Sequence, residues 1–118
     1  MFEKREIIVS STMGLCVVAD VTRLSADRRA PMLYYVLRSY YDTTKTAYIP
    51  VEKHEVELRK PVDSIKANEI FMDIKAKIAD DKDYIPDDNT VGEIAYVLKM
   101  KRDELLVKAG LNTDTEDN

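Results

Sequence analysis

One cysteine, Cys16, one histidine, His54, three glycines and no tryptophan occur among the 118 residues. A single cysteine excludes an intramolecular disulfide, and one cysteine with one histidine cannot build a two-Cys, two-His zinc site within the chain. That usage suits a reducing compartment. A nucleophilic triad would have to take His54 as its base. His54 stands in Glu52-Lys53-His54-Glu55, however, and reads as a solvated surface histidine. Cys16 sits inside an apolar run and reads as a small buried hydrophobe, not a reactive thiolate. Gly14, Gly92 and Gly110 are too far apart to form a phosphate-cradling loop. After Met1 to Glu6, only Ile7, Ile8 and Val9 precede the polar Ser10, so a signal-peptide core is missing. No apolar run approaches the roughly 20 residues of a membrane-spanning helix. The expectation is a soluble cytoplasmic protein without catalytic residues, cofactor or metal, and with no membrane partner.

The length suits one ordinary domain or two very small ones. With 18 basic and 22 acidic side chains the formal charge is -4, the wrong sign for holding nucleic acid by bulk phosphate attraction. Its distribution says more. Residues 1–61 carry ten basic and eight acidic side chains, a surplus of two positive charges; residues 62–118 carry eight and fourteen, a surplus of six negative ones. The texture changes near Pro61 as well. Before it, β-branched and aromatic residues occur in short runs; after it, apolar residues recur every three or four positions. The chain therefore reads as α+β: residues 1–61 form a small antiparallel β-domain and residues 62–118 a helical region with a short acidic tail.

Five strands are predicted in the first half. They are Ile7 to Val9, Leu15 to Leu24, Met32 to Tyr40, Thr46 to Val51 and Val56 to Arg59. A turn falls at Gly14, a solvated hairpin loop at 25–31 and another turn at Asp42, Thr43 and Thr44. Strict alternation along the second strand puts Leu15, Val17, Ala19 and Val21 on one face and Cys16, Val18, Asp20 and Thr22 on the other. Pro50 confines the end of the fourth strand to an edge or a ladder terminus. Five short strands joined by tight turns suggest a closed SH3-like or Tudor-like barrel, because closure removes exposed edges. A barrel this small buries little surface, so the helical stripes should pack on it or on each other.

In the second half, Asp63 or Ser64 can cap a helix whose stripe is Ala67, Ile70, Phe71, Ile74 and Ile78. Thr90-Val91-Gly92-Glu93 has the capping-box pattern, which starts a second helix at Val91. Its stripe of Val91, Ile94, Ala95 and Leu98 breaks at Lys101 and Arg102, then resumes at Leu105, Leu106 and Ala109, leaving one long helix or two with a bend near Lys101. Gly110 is a plausible stop. Asn112 to Asn118 reads as a disordered tail.

Asp80, Asp81, Asp83, Asp87 and Asp88 invite a calcium reading. The EF-hand pattern begun at Asp81 fails at Ile85, Pro86 and Gly92, so a solvated acidic loop fits better. Gly92 to Gly110 has a faint helix-turn-helix cadence. Lys99 stands where the tight-turn glycine belongs, and Asp103 and Glu104 would lead the recognition helix toward phosphates. Arg23, Arg28 and Arg29 are either ordinary surface charge or contacts for an acidic partner strand, since an unpaired sheet edge can accept a foreign strand.

The first half resembles the CarD-like bacterial regulators, whose N-terminal domain is shared with the RNA-polymerase-interacting domain of the transcription-repair coupling factor. The resemblance lies in Gly14, the run Val17 to Arg23, Tyr34-Tyr35-Val36-Leu37-Arg38, Asp42, Ile49-Pro50-Val51 and Val56-Glu57-Leu58-Arg59. It spans residues 5–72, where Glu69-Ile70-Phe71 matches the start of the family's first C-terminal helix. It implies a Tudor-like barrel that docks on the β subunit of bacterial RNA polymerase by strand pairing, with a helical domain reaching promoter DNA. Arg23 falls on a polymerase-contacting arginine of the family. A second would fall at Tyr48, so Tyr48, Ile49 and Pro50 are carried over as a contact stretch without that charge. The family's DNA-facing tryptophan is missing and the matching half is acidic, so DNA binding is expected to be weak and polymerase-assisted. The other reading is a protein-interaction adaptor with the same barrel, without polymerase binding, that forms homo-oligomers through its helices.

Overall fold

A computed structural model describes residues 1–25 and 30–111. The loop arginines Arg28 and Arg29 and the tail from Asn112 lie outside the described residues. The chain divides into two compact units, Met1–Pro61 and Val62–Asn118.

The first unit is a five-stranded antiparallel sheet: β1 (Ile7–Ser10), β2 (Gly14–Leu24), β3 (Met32–Ser39), β4 (Thr46–Pro50) and β5 (Leu58–Arg59), in the order β4-β3-β2-β1-β5. Among the described residues no ladder joins β4 to β5, so the sheet is open where a closed barrel was expected. β5 is also shorter than the sequence suggests. Gly14 makes the β1–β2 turn with φ of 75°, a conformation that costs glycine little.

β2 departs from plain alternation. Val18 faces Leu37, but the next pair is Asp20 with Val36, so Ala19 is an extra residue and the strand bulges there. The bulge resets the parity, and the face assignment predicted for β2 fails. Cys16, Val18 and Val21 all point to one face, where they pack with Ile8, Tyr35, Leu37, Ile49 and Leu58. Phe2 folds back over the same core: its ring lies 5.8 Å from that of Tyr35, and its N–H donates to the Tyr35 hydroxyl at 3.0 Å.

Among the described residues the second unit has three helices, α1 (Ser64–Asp80), α2 (Asp88–Val97) and α3 (Arg102–Lys108). The Asp63 carboxylate caps α1 by accepting the Lys66 N–H at 2.8 Å. α2 starts three residues earlier than the capping box predicts. Asp87 is its cap, accepting both the N–H and the hydroxyl of Thr90. Glu93 is thereby released from the box and accepts the Val62 N–H at 2.9 Å. The break foreseen near Lys101 is a turn in which Lys99 has φ of 61° and Met100 donates to Ala95. Ala67, Ile74, Val91, Ile94, Ala95, Leu105 and Ala109 form the buried core of this unit.

Candidate docking edge

The hydrogen-bonding direction of β2 follows from the ladder. Val51 donates to the Leu33 carbonyl, so Leu33 directs its main-chain groups toward β4. Its neighbours Met32 and Tyr34 then face β2, where they oppose Leu24 and Thr22. Val21 and Arg23, between those positions, must direct their N–H and C=O groups to the other side of β2. Along its first half that side is occupied: β1 pairs with Gly14 to Val17, and Glu6 and Arg5 exchange main-chain hydrogen bonds with Val18. The chain then leaves. Arg5 takes φ of 77° and Glu6 donates back to Glu3, which ends the run beside β2. Beyond Val18, among the described residues, no strand pairs with β2 on this side.

The first donor on this free edge is already used. Val21 N–H donates to Oδ1 of its neighbour Asp20 at 2.9 Å. The same bond shows independently that Val21 points away from β3.

Cross-strand register places the predicted contact residues. The rows Val21–Tyr35–Ile49 and Arg23–Leu33–Val51 share the core face. The rows Asp20–Val36–Tyr48 and Thr22–Tyr34–Pro50 share the outer face. Arg23 and Ile49 therefore lie on one face, and Tyr48 and Pro50 on the other. Arg23 is exposed, and among the described residues its guanidinium has no ion-pair partner. It borders a cleft of about 390 Å³ shared with Met1, Leu33, Val51 and Glu52. Ile49 is half-buried against the core; Tyr48 is 57% exposed on β4, where Leu24 and Met32 accompany it on the outer face.

Pro50 sits where the alternation of β4 directs its backbone outward, so its missing N–H removes no ladder bond and instead deprives the outer edge of β4 of a donor. Of the two edges that carry predicted contact residues, the one at β2 has an N–H at both outward positions, Val21 and Arg23, the first of them engaged by the Asp20 carboxylate. Asp20 and the outward-facing backbone of Val21 escape sequence reading. Their signal is the breakdown of alternation at Val17-Val18-Ala19, where apolar residues occupy consecutive positions.

Other candidates find structural roles. Cys16 is fully buried, and burial pushes its thiol up to about 11. His54, expected in solvent, is half-buried, and its Nδ1 donates to the Val56 carbonyl at 2.6 Å. In the acidic loop, Asp81 accepts the Asp83 N–H and Asp87 caps α2. Among the described residues no group of three or more His, Cys, Asp or Glu side chains gathers where it could hold a metal ion, and no helix is long and apolar enough to cross a membrane. Compared with known proteins, the chain matches no family model and no curated relative.

Proposed function

We propose that this chain is a CarD-like, nonenzymatic accessory protein whose first unit, an open relative of the Tudor-like barrel, binds the β subunit of bacterial RNA polymerase by strand pairing. The observation that carries the reading is the free edge of β2, where Val21 and Arg23 turn their main-chain groups outward and Arg23 keeps its charge exposed. Strand addition needs those features: main-chain hydrogen bonds supply affinity and a flanking charge sets register. The resemblance in order and spacing from Gly14 to Arg59 supplies the identity of the partner.

The acidic second unit is assigned no independent DNA contact. Its helix pair α2–α3 turns at Lys99, but α3 presents Asp103 and Glu104 in its first turn, which repels phosphates. DNA is met weakly, with polymerase holding it in place.

The test is co-purification of the full chain with bacterial RNA polymerase and with its isolated β lobe. Arg23→Glu is expected to weaken capture at least tenfold, whereas Tyr48→Ala, on the opposite face, leaves it within about twofold. Capture that is indifferent to Arg23→Glu removes the β2 edge from the interface. Absence of the β subunit from the captured material, with a self-associated chain in light scattering, supports the adaptor reading instead.

A further inference from the structure

The free edge of β2 carries two charges that do not share a face. Asp20 stands on the outer-face row with Val36, and Arg23 on the core-face row with Leu33. A strand added to the edge continues both rows, because directly opposed residues in a ladder lie on the same face. The residue opposite Arg23 therefore lies on the core face beside the cleft, and the residue opposite Asp20 lies on the outer face. In an antiparallel strand these positions are three residues apart, with the one opposite Arg23 first.

Asp20 has a second role at this edge. Its carboxylate occupies the Val21 N–H, the first main-chain donor that an incoming strand would use. Native sheets protect open edges by such devices, and a strand that docks must displace the cap. Displacement leaves an aspartate carboxylate that has lost its hydrogen bond, and a cation on the incoming strand compensates for that loss.

A second copy of this chain cannot supply the match. In antiparallel pairing of two β2 edges, like faces align, so Asp20 never opposes Arg23 of the other copy directly. Registers that centre on either residue set like charges against each other, which is unfavourable. The complementary occupant is a heterologous strand.

We propose that the β2 edge selects an antiparallel extended segment of a partner protein in which an acidic residue, placed against Arg23, is followed three positions later by a basic residue that draws Asp20 off the Val21 N–H. The proposal rests on the strand-pairing reading above and names the chemistry of the partner strand.

The experiment uses the full chain and two fluorescein-labelled, Val- and Thr-rich peptides of about twelve residues and identical composition. One carries Glu and, three residues on, Lys; the other has these two exchanged. Fluorescence anisotropy at about 150 mM salt is expected to give the Glu-first peptide at least about tenfold tighter binding, since each directly opposed pair turns from attractive to repulsive on exchange. The double variant Asp20→Lys, Arg23→Glu reverses the preference. In amide NMR, peptide binding protects the Val21 and Arg23 N–H groups from hydrogen exchange. Equal affinity for the two peptides overturns the proposal, as does binding of neither. Protection of the same amides by self-association of the free chain also overturns it, since the edge then belongs to a second copy. Should the double variant fail to fold, the two-peptide comparison on the unmodified chain still decides. Polymerase capture without peptide discrimination defeats the inference and leaves the proposed function standing; peptide discrimination without polymerase capture does the reverse.

Discussion

The Glu93 carboxylate accepts the backbone N–H of Val62 at 2.9 Å, across 31 residues of sequence, and Glu93 is only 5% exposed. The bond ties the start of the helical unit to the middle of α2. A buried carboxylate kept in place by hydrogen bonds costs stability when its partners are stranded. Glu93→Ala is expected to destabilise the second unit by about 1–3 kcal/mol and Glu93→Gln by less, since the amide retains an acceptor oxygen. Urea unfolding followed by helical circular dichroism measures the difference.

The extra residue Ala19 determines which face of the sheet receives Val21 and Arg23. An alanine inserted between Asp20 and Val21 shifts the register by one, sends Val21 out of the core and moves Arg23 to the outer face. The insertion is expected to cost far more stability than Ala19→Gly, which keeps the residue count. Thermal unfolding of the two variants checks this.

Lys99 holds φ of 61° in the turn between α2 and α3, a region that side chains with a Cβ enter at a cost. Lys99→Gly relieves that cost and is expected to stabilise the unit by about 0.5–1 kcal/mol, while Lys99→Val destabilises it. Denaturation midpoints at fixed pH give the order.

Burial raises the Cys16 thiol from an ordinary value of 9.0 to about 11. Between those values the unfolded chain has lost the proton and the folded chain has kept it. Stability therefore falls as pH rises from about 9 to about 11, with no contribution from this group at neutral pH. Cys16→Ala loses packing at pH 7 but shows a shallower decline over the alkaline window. The native thiol is also expected to resist iodoacetamide at pH 8 until the chain unfolds.

Much of the architecture is legible in local sequence. Apolar runs bounded by Gly14 and by Asp42 to Thr44 mark the strands, and the spacing from Ala67 to Ile78 marks α1, because each depends on residues close together in the chain. Two features depart from their local patterns for a common reason. Thr90 and Glu93 satisfy the pattern of a capping box, yet Asp87 takes the cap and Glu93 answers to Val62, a residue far away in sequence. Alternation along β2 holds only until the bulge at Ala19, which is settled by how β3 lies beside it. For the candidate edge, Arg23 could be singled out as a charge near a strand end. The outward-facing backbone of Val21 and its Asp20 cap could not: consecutive apolar residues at Val17-Val18-Ala19 signal the bulge, but nothing local reveals where β1 stops alongside β2.

By itself the sequence determined the α+β character and the approximate positions of strands and helices. These follow from periodicity and composition, which act through neighbours in the chain. The tertiary structure alone decided that, among the described residues, no ladder joins β4 to β5 and no strand pairs with β2 beside Val21 and Arg23, and that Arg23 and Tyr48 stand on opposite faces. Those outcomes depend on register and on which strand ends first, and both are set by packing between segments distant in sequence.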